Sequence, residues 1–136
     1  MKTYNIRAVH LIRLDEGTEI VSELKKSCQG MKGGIVKGIG GLDRAKIAVY
    51  NPERGEYDVR EVIGFHEIAS LLGNLSIKKD GERFLHLHVV LGSWRGVIAG
   101  HLIEGYVRGT AEIAVFELDG ELNRTIEAKG LTLLDL

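Results

Sequence analysis

Apolar and polar positions alternate from Thr3 to Leu14, with Tyr4, Ile6, Ala8, His10, Ile12 and Leu14 on one face and Asn5, Arg7 and Arg13 interrupting the other. A period of two predicts a strand with one face more buried. The period then changes. From Thr18 to about Gln29, Ile20, Val21, Leu24 and Cys28 fall on a single stripe, acidic residues open the segment, and Lys25 and Lys26 lie toward its end. This predicts one amphipathic helix, with Gly30 placed to supply a left-handed cap. After it the pattern is that of strands. Gly34 to Ile39 is apolar between glycines, and Ala45, Ile47 and Val49 alternate toward a turn at Asn51-Pro52-Glu53-Arg54-Gly55. Glu56 to Ile63 returns, and Phe65 to Ile77 fits helix or strand equally by period. Arg83 to Leu91, Val97 to Ile103, Thr110 to Leu118 and a last segment within Thr125 to Leu134 follow. Between them, Asp80-Gly81 is a two-residue hairpin signal.

The sum is one main helix and about eight strands whose connections are too short for crossovers. The expected fold is therefore α+β, a largely antiparallel sheet that curls on itself. No linker, low-complexity tract or repeat divides residues 1–136, so a single domain is expected. Its 15.0 kDa suffices for a self-contained core.

Composition narrows the function classes. Eighteen Lys+Arg against nineteen Asp+Glu give a net charge of -1, which argues against a chain-wide basic field of the kind that holds nucleic acid. A lone cysteine, Cys28, excludes an internal disulfide and a multi-thiolate zinc site, and on its stripe it reads as a small buried hydrophobe. No apolar run reaches the length of a membrane span and no signal-peptide block opens the chain. The expectation is a cytoplasmic protein without a membrane partner.

The chemistry lies in His86-Leu87-His88 and His101. On a strand His86 and His88 share a face, with Cα atoms about 6.5–7 Å apart, a separation that two imidazoles converging on one ion can bridge. Whether His101 joins them depends on hairpin register. If four residues, Ser93 to Gly96, form the loop, Gly92 pairs with Val97 and His88 with His101; a five-residue loop turns His101 to the other face. Taking Asp80-Gly81 as the preceding turn sets Leu75 opposite His86 and Gly73 opposite His88. Three neutral imidazoles suit a divalent metal, zinc first, with nickel, copper, cobalt and iron also compatible. Three protein ligands leave one position open to water or a small-molecule ligand. Glu67 and Glu104 are the nearest carboxylates in sequence, each able to orient an imidazole or to sit in a surface ion pair. Gly38-Ile39-Gly40-Gly41 lacks the further residues of a phosphate loop and reads as strand bends. Lys78, Lys79 and Arg83 read as a solvated hairpin tip diluted by Asp80 and Glu82. Trp94 is either a subunit-contact anchor or a cover for the core edge.

Three segments together resemble the plant- and prokaryote-conserved (PPC or PCC) domain: Gly38-Ile39-Gly40-Gly41-Leu42 with Ala45-Lys46-Ile47-Ala48-Val49-Tyr50; Glu67-Ile68-Ala69-Ser70-Leu71-Leu72-Gly73-Asn74; and the histidine segments 86–92 and 97–102. The resemblance implies a compact α+β domain that assembles as a homotrimer, a strand at Phe65 to Leu72, and a metal on His86, His88 and His101. This chain departs from the plant members at Phe65-His66, where they carry Arg-Phe, and it has no Arg-Gly-Arg-Pro hook for the minor groove. Three functions are expected in descending order: a homotrimeric metal-binding protein, a metal-dependent hydrolase or lyase acting on a small polar substrate, and a DNA-binding or chromatin module.

Overall fold

A computed structural model describes residues 1–128 and 130–136. The elements run β1 (Ile6–Asp15), α1 (Ile20–Ser27), β2 (Gly34–Asn51), β3 (Glu56–Lys78), β4 (Arg83–Ser93), β5 (Gly96–Leu118), β6 (Asn123–Ala128) and β7 (Leu131–Leu134). Among the described residues there are thus seven strands, fewer than the pattern suggested, because the chain passes through Gly64 and Gly109 without leaving the sheet. Gly34–Asn51, Glu56–Lys78 and Gly96–Leu118 are each one long bent strand where the sequence suggests two. The segment at Phe65 to Ile77 is strand. The last segment is instead a hairpin, β6 with β7.

Four of these strands close a ring. β2 pairs with β3, β3 with β4, β4 with β5, and β5 returns to β2, all antiparallel. β1 adds to the outer half of β5, and β6 adds to the end of β3, the one parallel pairing among the described residues. The ring is closed because alternate residues of every strand are large and apolar: Val36, Leu42 and Ile47 of β2; Leu71 and Leu75 of β3; Leu85, Leu87, Val89 and Leu91 of β4; and Leu102, Val107, Ile113 and Val115 of β5 form one buried cluster. At roughly 1.5–3 kcal/mol for each such side chain removed from water, this interior is the main stabilising term.

The helix is shorter than its apolar stripe predicts, eight residues. Glu19 caps it, its carboxylate accepting from the Val21 and Ser22 amides at 3.0 and 2.7 Å and from the Gly105 amide at 3.0 Å. Past Ser27 the backbone tightens into turns, with the Gln29 amide donating to Lys26 O and the Met31 amide to Cys28 O. Ile20, Leu24 and Cys28 still enter the core, as the stripe requires. The Cys28 thiol is pushed up by that burial, so it is a packing group.

Hairpin chemistry sets the registers. At β4–β5, Gly92 pairs with Val97 and His88 with His101, and the pairing extends to Ser93 with Gly96, leaving Trp94 and Arg95 as the turn. Trp94 is fully exposed, so it covers no core edge. At β3–β4 the Asp-Gly expectation is off by one. The Lys78 amide donates to Glu82 O and the Gly81 amide to Lys78 O, which makes a three-residue loop whose last residue, Gly81, has φ +84°. Leu75 therefore faces Leu85, Asn74 faces His86, Gly73 faces Leu87 and Leu72 faces His88.

Gly73 is needed for a reason other than space beside a ligand. A Cβ there would overlap the backbone carbonyl of His86. Gly73→Ala is expected to cost more than about 2 kcal/mol in urea unfolding because backbone rather than a side chain must move. Gly92→Ala, with nothing within 4 Å of its added Cβ, is expected to be close to neutral.

Candidate metal centre

Because the odd-numbered residues of β4 fill the ring, its even-numbered residues look outward. His86 and His88 thus stand on the outer surface of the sheet, half-buried and exposed respectively. His101 joins them from β5 because it is His88's direct cross-strand partner. One ligand nitrogen from each ring lies within 4.8 Å of the other two. His86 Nε2 and His101 Nδ1 are 3.1 Å apart, and the His88 and His101 ring centroids are 4.2 Å apart. Two ligands of a tetrahedral zinc at about 2.05 Å subtend an edge of about 3.3 Å, so this nitrogen pair needs to open by only a few tenths of an ångström. The three histidines expected to act together are brought together. The donor set fits a divalent ion with one position left over.

The surroundings are polar in a specific way. Arg124, at the start of β6, reaches back over β3 and is almost fully buried. Its Nε donates to Ser76 Oγ at 3.2 Å, Nη1 to Thr132 O at 2.7 Å, and Nη2 to Asn74 Oδ1 at 3.1 Å and His86 Nδ1 at 3.3 Å. A guanidinium can only donate, so His86 Nδ1 accepts and Nε2–H points at His101 Nδ1. Phe84 lies beneath Arg124 with its ring 5.4 Å away, and Tyr57 sets its edge against His101 at 5.0 Å between centroids. Burial first, then the neighbouring Arg124 charge and the other two histidines, push His86 down to about 4. His101 is lowered by burial and by His88. These rings are kept neutral, the form that offers a lone pair to a metal.

Neither expected carboxylate is part of the cluster. Glu104 pairs with Lys46 at 3.6 Å, and Glu67 stands opposite Gly92 and Gly41, lining a hollow with Phe65 and Arg108. The residues that do surround the histidines, Arg124, Asn74 and Tyr57, were not singled out from the sequence. Asn74 becomes visible once the β3–β4 loop is counted as three residues. Arg124 has no spacing signal, since a separate hairpin carries it to the site.

The fold and site define a closed, strongly bent β protein with three histidines clustered on its outer face, and comparison with known proteins narrows the class. The family profile of the Plants and Prokaryotes Conserved (PCC) domain matches residues 1–119, and the chain belongs to that family. A plant- and prokaryote-conserved protein from Pyrococcus horikoshii is 38% identical, with a TM-score of 0.91 over 100% of this chain and 96% of that one. A metal-containing protein from Archaeoglobus fulgidus is 33% identical, with a TM-score of 0.91 over 100% of both chains. A candidate DNA-binding protein from Bacteroides thetaiotaomicron is 29% identical, with a TM-score of 0.88 over 98% of this chain and 96% of that one. None of the curated proteins compared matches the sequence.

The lowered histidines make stability depend on pH. On acidification an unfolded His86 takes up a proton near its ordinary 6.5, whereas the folded one resists until about 4. Stability that is complete above about 6.5 is therefore lost as pH falls toward 4. The urea midpoint of metal-free protein is expected to drop across that window, and more shallowly in His86→Gln. Superimposable pH curves for the two proteins would show that His86 is not depressed.

Proposed function

We propose that this protein binds one divalent metal ion per chain, zinc by preference, through His86, His88 and His101, and works as a cytoplasmic homotrimer whose open coordination position receives a small-molecule ligand. The observation that carries the reading is the 3.1 Å separation of His86 Nε2 and His101 Nδ1, a near-coordination distance between neutral rings on two different strands. A relative covering the whole chain at 33% identity is itself a metal-containing protein, which supports it. When bound, such an ion supplies Lewis acidity and a water of lowered pKa. The protein's own part is to keep the rings neutral, fix their orientation by register and hold Arg124 beside them.

Self-association is supported by the outer sheet surface next to the centre. Val9, Leu11, Ile35, Ile39 and Leu72 are exposed on β1, β2 and β3, and Leu72 is the cross-strand neighbour of His88. Monomeric proteins seldom leave so much apolar sheet in water. A second reading, a metal-dependent hydrolase or lyase, is favoured by the open position. The group beside the metal ligands that would act on a substrate is then a guanidinium, because Glu104 pairs with Lys46 and Glu67 lines a different hollow of the sheet.

Two measurements test these statements. Elemental analysis of untagged protein is expected to find close to one metal per chain, lost in His88→Ala; unchanged metal in that variant would remove the site. Light scattering is expected to give the mass of a trimer for the wild type and of a monomer for Leu11→Asp. A wild-type mass of one chain would refute the assembly.

A further inference from the structure

We infer that the three-histidine centre takes a small oxyanion, a carboxylate or a phosphate, at its open position, and that Arg124 is the residue that holds it. The inference rests on the metal reading above and adds to it the class of ligand. Its basis is a count of hydrogen bonds. Arg124 has five N–H groups, four of which are spent on Ser76 Oγ, Thr132 O, Asn74 Oδ1 and His86 Nδ1. All four acceptors are neutral. Among the described residues no carboxylate comes within ion-pair distance of this guanidinium, although it is only 6% exposed. A buried cation without a counter-ion is costly. Asp80 and Glu127 line the open hollow on its other side together with Lys78 and Lys79, two charges of each sign, and neither acid forms an ion pair with Arg124.

Occupation of the centre sharpens the imbalance. A neutral imidazole has one N–H and one lone pair. If the Nε2 lone pair of His86 goes to a metal, the proton sits on Nδ1, which then no longer accepts from Arg124 at 3.3 Å. Two N–H groups of a buried guanidinium are left without acceptors beside an ion whose three ligands contribute no negative charge. Asn74 Oδ1, on the residue paired with His86 across the strands, has two lone pairs and can take the Nδ1 proton while still accepting from Arg124. An anion with two oxygens answers both deficits, one oxygen on the ion and one on the guanidinium. Metal and anion must then strengthen each other's binding, by the same factor in either direction.

The test uses the full chain, stripped of metal and titrated with Co2+, whose visible bands report coordination. Titrations are run in acetate, in inorganic phosphate and in chloride at equal ionic strength. Acetate or phosphate is expected to raise the apparent Co2+ affinity about tenfold and to shift the bands, with chloride doing neither. Complexation of Co2+ by these anions in solution works in the opposite direction and cannot imitate the rise. The comparison of the acetate and phosphate arms tells which oxyanion geometry fits. Arg124→Gln is expected to bind Co2+ with no anion effect. Arg124→Lys, which keeps the charge and loses the fork, is expected to keep a reduced one, and it serves if the Gln variant does not fold by circular dichroism. Anion-independent Co2+ binding by the wild type would overturn the inference and leave the metal site standing. An undiminished anion effect in the variants would remove Arg124 from it, and a wild type that binds no Co2+ would overturn both the inference and the metal reading.

Discussion

The pairing of His88 with His101 across β4 and β5 is the constraint on which the rest of the site depends. Side chains on a strand alternate between faces, so a slip of one residue in that hairpin would bury His101 in the ring and leave His86 and His88 alone outside. The register is held from both ends. Trp94-Arg95 closes the turn, and Leu85, Leu87, Val89 and Leu91 lock the opposite face of β4 into the core. A slip of β5 against that fixed row would turn its own core residues, Leu102 first, out into water, at a cost on the order of several kcal/mol. Core packing thus stabilises the geometry of a site that lies wholly outside the core.

A second layer is electrostatic. The site contains rings held neutral by burial and by one another, and a buried cation that reaches them from a different hairpin. Where a ligating histidine usually aims its outer N–H at an acidic or carbonyl oxygen, the outer nitrogen of His86 instead accepts from the Arg124 guanidinium, with the Asn74 amide oxygen on the same guanidinium. Arg124 also ties Thr132 of β7 to Ser76 and Asn74 of β3, so the C-terminal hairpin is anchored through the same side chain that touches His86. Docking of that hairpin and the orientation of His86 are therefore physically linked.

Much of this was legible in the residues. Alternation in β1 and β4, the helix stripe of Ile20, Leu24 and Cys28, and the shared face of His86 and His88 follow from periodicity alone, because burial imposes it. Three features were not. Gly64 and Gly109 read as strand ends, whereas closing a small ring demands long strands that bend at such positions. Asp80-Gly81 read as a two-residue turn, but Gly81 is the left-handed third residue of a longer loop, and that single position exchanges Leu75 for Asn74 opposite His86. Arg124 lies 23 residues beyond His101 on a strand whose placement is set by tertiary pairing with Lys78, which no local pattern encodes.

The most direct measurement of the central geometry is anomalous diffraction at the zinc edge from crystals of zinc-loaded protein. The predicted result is one peak per chain within about 2.1 Å of His86 Nε2, His101 Nδ1 and a ring nitrogen of His88. A peak elsewhere, or none while His86 Nε2–H still donates to His101 Nδ1, would contradict it and make the three rings a hydrogen-bonded surface cluster.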